Sequence, residues 1–172
     1  MLKLNLGCHT RIKPGYVNID KDFYPGVDRV GGVDSLPAFE DNSVDEIYAS
    51  NIIEHFAHTE TKRKLTEWHR ILKKDGILCI SVPDFDRAIQ IYLSCGLCNW
   101  VRNFLWGDQG YAGAFHYTAF NERTLTAILK DAGFSEISRV EKLPNSSPDE
   151  CSNLISTHDN RTVCLNLIAI KA

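Results

Sequence analysis

Leu4-Asn5-Leu6-Gly7-Cys8-His9, followed after a turn by Pro14-Gly15-Tyr16-Val17-Asn18-Ile19-Asp20, decides the fold. Leu2, Leu4 and Leu6 alternate with polar residues and stop at Gly7, the pattern of a strand that ends in a turn. Tyr16 to Ile19 reads as a short second strand after the Pro14-Gly15 turn, closed by Asp20. Each strand thus ends in a residue suited to holding a ligand. Glycine lets backbone N–H groups approach closely, and aspartate offers two acceptor oxygens.

Working outward, Val27 to Val33 reads as a weaker third strand, and Val44 to Ala49 as a fourth after the turn cluster Asp41-Asn42-Ser43. Leu65, Trp68, Ile71 and Leu72 make one apolar stripe of a helix over Glu60–Lys74, with Asp75-Gly76 as its stop. Ile77 to Val82 is a short apolar run of buried-strand type, ended by Pro83. A second helix runs from Asn121, a good N-cap, to Ala132, with Gly133 as the C′ residue. Phe134 to Val140 and Thr162 to Ile170 read as the last two strands, separated by a long polar loop from Pro144 to Arg161. Strands alternating with helical segments predict an α/β fold with a doubly wound, mostly parallel sheet. Ligands of such sheets bind beyond the carboxyl ends of the strands.

The chain has 172 residues, 44% hydrophobic and 24% charged, which fits one domain spanning 1–172 with a core of ordinary size. Nineteen basic against 22 acidic side chains leave a net charge of −3, which argues against nucleic acid as a partner. No signal peptide or membrane span is expected, since the most apolar stretch, Ile89 to Trp106, is interrupted by Gln90, Asn99, Arg102 and Asn103. Six cysteines without framework spacing read as reduced thiols of a cytoplasmic protein. Cys95-Gly96-Leu97-Cys98 lacks the further ligands of a zinc site, so no metal site is expected.

The spacing of Gly7 and Asp20, thirteen residues, and the absence of two further glycines disfavour a nicotinamide dinucleotide. Five segments in order over residues 2–84 instead resemble a class I S-adenosylmethionine-dependent methyltransferase of the compact type 11-like branch. They are Leu4 to Cys8, Gly15 to Asp20, Leu36-Pro37-Ala38-Phe39-Glu40-Asp41-Asn42-Ser43-Val44-Asp45-Glu46-Ile47, Ser50-Asn51-Ile52-Ile53-Glu54-His55-Phe56, and Arg70-Ile71-Leu72-Lys73-Lys74-Asp75-Gly76-Ile77-Leu78. The resemblance implies a Rossmann-like seven-stranded sheet with its last strand antiparallel. It implies S-adenosyl-L-methionine as cofactor, with Gly7, Cys8 and His9 at the methionine end and Asp20 on the ribose. Asp34, Ser35 and Leu36 would flank the adenine, and Asn51 with Ile52 would close the pocket. Three departures mark this chain: His9 stands at a usual glycine, Gly32 at a usual adenine-contacting aspartate, and the stretch from Cys8 to Gly15 is too short for the usual first helix.

Transfer to a hydroxyl needs a group that removes its proton, and His116, His55 and Asp84 are the candidates. Trp100, Phe104, Trp106, Tyr111, Phe115, Tyr117 and Phe120 suit a lid inserted at about 85–120 over a small-molecule or saccharide acceptor. A small core of their own or a homodimer contact is the other reading of these rings. The resemblance therefore implies a methyltransferase acting on a small molecule or glycan, most simply at oxygen. A non-catalytic binding or assembly module with a degenerate site, motivated by His9 and the missing glycines, is the alternative.

Overall fold

A computed structural model describes residues 1–111, 113–148, 150–154, 156 and 161–172. Seven strands form one sheet: β1 (Lys3–Leu6), β2 (Val17–Asp20), β3 (Arg29–Val30), β4 (Val44–Ser50), β5 (Leu72–Pro83), β6 (Phe134–Val140) and β7 (Cys164–Lys171). Their order is β3-β2-β1-β4-β5-β7-β6, parallel except for β7, which runs antiparallel to both β5 and β6. This is the mixed α/β sheet expected of the sequence. The strand order reverses at β1, so the cleft for a ligand lies beyond β1 and β4.

The register puts Leu4 beside Ile47 and Leu6 beside Ala49, with Leu78 and Ile80 one strand further on. All six face one apolar layer. Helix α1 (His58–Ile71) and helix α4 (Glu122–Asp131) cover it with Leu65, Trp68, Ile71, Leu125 and Leu129. The Asn121 side chain caps α4 in a reciprocal box with Thr124, as its residue type predicted.

Helix α1 stops at Ile71, not Lys74, because Leu72 already pairs with Val44 across the sheet. The next pair in that ladder is Glu46 with Ile77, so residues 73–76 bulge out of β5 and Asp75 takes φ 60°. Asp75-Gly76 is therefore the tip of a bulge within the strand, and Leu72 belongs to the sheet rather than to the helix stripe.

The opposite face is the more polar one, and none of the first three connections forms a helix over it. Asn5, Asn18, Ser81 and Asn166 are buried there beside Tyr48 and Cys79. Segments near Lys13 and around Leu143–Asn153 lie over them and satisfy most of their polar atoms. Lys13 Nζ donates to Glu150 Oε1 at 2.6 Å, Tyr48 donates to Glu150, and Asn166 Nδ2 donates to the Ser152 carbonyl at 3.0 Å. A short helical turn, Cys151–Asn153, interrupts the expected Pro144–Arg161 loop; positions 149, 155 and 157–160 of it lie outside the described residues.

Between β5 and α4 run helix α2 (Phe85–Cys95), helix α3 (Asn99–Trp106) and an irregular stretch to Phe120. Ile91 and Val101 build a satellite core with Val163 and Cys164, against which Trp100 and Phe104 pack. Cys8, Cys79, Cys95 and Cys98 are free thiols. No described helix is long and apolar enough to cross a membrane.

Candidate active site

A cavity of about 800 Å³ opens at the carboxyl ends of β1, β2 and β4, within the size range of small-molecule sites. Its floor is the turn after β1. Gly7 has φ 63°, and a Cβ there would sit 1.8 Å from Cδ1 of Ile52. Only glycine allows the side chain after β4 to lie against the turn after β1. Asn51, directly after β4, takes φ 56°, a left-handed conformation that asparagine tolerates, and throws the chain into the single turn Ile53–His55.

Asp20, only 8% exposed, closes the floor. Its Oδ2 accepts from the His9 amide at 2.8 Å and its Oδ1 from the Asp22 amide at 3.0 Å. Each carboxylate oxygen retains capacity for a second donor, such as a hydroxyl. The Cys8 thiol is pushed up to about 11 by burial and by Asp20, so it remains protonated and is not a nucleophile. The His9 ring packs at a tilt against Tyr24, centroid to centroid 4.2 Å, and both border the cavity. Asp34 also lines the cavity while its Oδ2 takes Lys64 Nζ at 2.7 Å, and that hydrogen bond holds its carboxyl below the ordinary value.

Gly7, Cys8, His9, Asp20, Asp34, Asn51 and Ile52 thus converge on one cavity. Ser35 and Leu36 are not among its lining residues. The Leu36 amide donates to Glu67 Oε1 of α1 at 2.9 Å and its side chain is buried in the main core. That contact draws the chain after β3 away from the opening.

On the opposite wall, His55 and His116 meet edge to face, with ring centroids 4.9 Å apart. Nδ1 of His55 bonds the Phe115 carbonyl and Nδ1 of His116 the Phe104 carbonyl, each at 2.9 Å. Burial holds both imidazoles below their ordinary value, and at His116 the neighbouring His55 lowers it further. Both are therefore neutral at pH 7 and keep one unprotonated nitrogen. Trp100, Phe104 and Tyr111 from the 85–120 stretch complete this wall.

Asp84 is elsewhere. It is buried, caps α2 through the Asp86 amide at 3.1 Å, and takes Arg139 Nη2 at 3.1 Å. Burial pushes its carboxyl up, Arg139 opposes this, and only its neighbour Pro83 borders the cavity. Its position after a strand is that of an active-site acid, but its oxygens are taken by the helix and the ion pair. Lys21, Tyr24 and Asp108 line the cavity without having been singled out. Lys21, directly after the strand-ending Asp20, carried a readable signal; Asp108 did not.

A family model described as a methyltransferase domain matches residues 8–80. No curated protein sequence matches the chain significantly. Among solved structures, an S-adenosylmethionine-dependent methyltransferase of Thermotoga maritima shares 19% identity at TM-score 0.62, covering 99% of this chain and 82% of that one. One from Methanosarcina mazei shares 19% at TM-score 0.61, with 98% and 91% covered. A Burkholderia thailandensis 1,6-didemethyltoxoflavin-N1-methyltransferase, solved with S-adenosylhomocysteine bound, shares 16% at TM-score 0.59, with 99% and 71% covered. The family match spans β2 to β4 and most of β5, and the likeness to the solved structures extends over nearly the whole chain, so the chain has the fold of the class I S-adenosylmethionine-dependent methyltransferases.

Proposed function

We propose that the chain transfers a methyl group from S-adenosylmethionine to a hydroxyl of a small-molecule or saccharide acceptor. One observation carries the reading: a single cavity has a glycine turn and a buried carboxylate on one wall, and two neutral imidazoles framed by aromatic rings on the other. The cavity volume, the Gly7 turn and the spare acceptor capacity of Asp20 fit the cofactor, whose sulfonium supplies an activated methyl group for in-line displacement. Asp20 accepts from the ribose hydroxyls, while Gly7 and Cys8 hold the methionine end and Asn51 with Ile52 closes the pocket. Asp34 stands in for the aspartate that Gly32 replaces. His116, seconded by His55, removes the hydroxyl proton as the new bond forms. The stretch from 85 to 120 acts as the lid, and the aromatic rings face the apolar side of the acceptor.

Calorimetric titration with S-adenosylmethionine and S-adenosylhomocysteine tests the proposal, followed by a screen of sugars and nucleotide-sugars. Micromolar binding and a methylated product are the expected outcome. Absence of binding to both would overturn it in favour of a non-catalytic module with a closed site.

A further inference from the structure

We propose that Glu54, His55 and His116 form a binding site for a divalent first-row transition-metal ion, with its remaining coordination positions facing the cavity. One potential ligand atom from each residue lies within 4.8 Å of the other two. Two imidazoles and one carboxylate are the donor set of zinc, iron, cobalt or manganese rather than of magnesium or calcium, which prefer oxygen alone.

Two independent features point to a missing ligand. Glu54 is 1% exposed, and neither of its carboxyl oxygens has a hydrogen-bond partner. Buried polar atoms are almost always paired, so an orphaned carboxyl aimed at two histidines asks for an unseen cation. The imidazoles are prepared for the same role. A carbonyl oxygen can only accept, so Nδ1 of each ring carries the proton and Nε2 keeps its lone pair. Metal-binding histidines are oriented in this way by an outer hydrogen bond to a carbonyl or carboxylate.

The frame is also rigid. The amides of Tyr117 and Thr118 both donate to the Glu54 carbonyl, at 2.8 and 3.2 Å, and the His116 amide donates to Trp106 at 3.1 Å. These bonds tie the turn that carries Glu54 and His55 to the loop that carries His116. Metal–ligand bonds of about 2.0–2.2 Å bring donors to roughly 3–3.5 Å, so loading draws the three side chains together by about an ångström. The role of the ion, unlike the site itself, rests on the methyl-transfer reading. There the ion would take the acceptor oxygen as a further ligand and make its hydroxyl more acidic, with His116 as ligand instead of base.

The test uses the full chain, stripped with a chelator and titrated with Co²⁺ by visible absorption and with Zn²⁺ by calorimetry. Cys95 and Cys98, with sulfurs 3.3 Å apart, are a rival site, so the titrations are repeated with both changed to serine. One equivalent should bind with the weak visible bands of nitrogen and oxygen ligation, without thiolate charge transfer, and should survive the serine changes. Glu54→Gln, close in shape and neutral, and His116→Ala should each weaken binding roughly tenfold or more while circular dichroism stays native. Failure to bind, binding that disappears with the cysteines, or unchanged affinity in Glu54→Gln would overturn the site. A parallel S-adenosylhomocysteine titration separates the two readings. Metal binding without cofactor binding removes the methyl-transfer role and leaves the site, and the reverse result removes the site alone.

Discussion

The backbone amide of His9 donates to Oδ2 of Asp20 at 2.8 Å, so the carboxylate that ends β2 also fixes the turn that ends β1. The Cys8 amide adds a bond to the Ile19 carbonyl at 3.1 Å, which makes the two strand ends one unit. Asp20→Ala removes the clamp and, on the proposed function, the acceptor for the ribose hydroxyls. Losing a charge-assisted partner costs about 1–3 kcal/mol, or roughly 5–150-fold in affinity for S-adenosylhomocysteine. Asp20→Asn, which keeps one acceptor oxygen, should fall between Ala and wild type in the same calorimetric series. Wild-type affinity in the Ala variant would remove Asp20 from the site.

His9 sits at φ 48°, where glycine is at ease and a β-branched residue is not. The left-handed conformation costs an ordinary residue about 1–2 kcal/mol, and glycine's extra chain entropy offsets roughly 0.5–1 kcal/mol of that relief. His9→Gly should therefore leave stability in urea within about 1 kcal/mol of wild type, whereas His9→Val should lie roughly 2 kcal/mol below His9→Gly. Equal stability of the Val and Gly variants would show that the turn relaxes out of the left-handed region.

Glu150 anchors the cover of the polar face through Lys13 and Tyr48. Burial pushes its carboxyl up, but the hydrogen bonds from Lys13 and Tyr48 outweigh this and leave it below the ordinary value of 4.5. A depressed carboxylate binds fewer protons folded than unfolded, so its contribution is complete above pH 4.5 and is lost as pH falls through the folded value. Breaking such a buried pair costs about 3–5 kcal/mol, so Glu150→Ala should lower unfolding stability by that amount at pH 7. The gap between wild type and variant should shrink in melts taken progressively below pH 4.5. A gap independent of pH would mean that packing, not charge, holds the cover in place.

What the sequence reveals here is mostly local. The alternation of Leu4 and Leu6, the Asn121 cap and the residues Gly7, Asp20 and Asn51 that follow strands are all visible without the fold, because strand period, capping and strand-end chemistry act over a few positions. The end of α1 was hidden, since it is set by Leu72 pairing with Val44 across the sheet. The polar face was hidden as well: Asn5, Asn18 and Asn166 look like surface residues until the segment after β6 returns over them. His55 and His116 are each conspicuous in the sequence, but their meeting depends on how the loop after α3 folds back. Asp84 and Leu36 drew attention by position, while their partners Arg139 and Glu67 come from distant elements.

That loop turns on Gly107, at φ 76°, where a Cβ would stand 1.7 Å from the Ala114 carbonyl oxygen. A backbone carbonyl cannot swing away as a side-chain tip can, so Gly107→Ala must push the 113–117 loop off the end of α3. His116 is held to α3 by its amide on Trp106 and its Nδ1 on Phe104, and it should move with the loop. The β1 turn and Asp20 lie on the other wall and are untouched. Displacing a reacting group by about an ångström costs on the order of a hundredfold in rate. With an acceptor from the screen, turnover of Gly107→Ala should drop by about that factor while S-adenosylhomocysteine affinity stays within about twofold. A variant that turns over normally would mean that the loop carrying His116 takes no part in handling the acceptor.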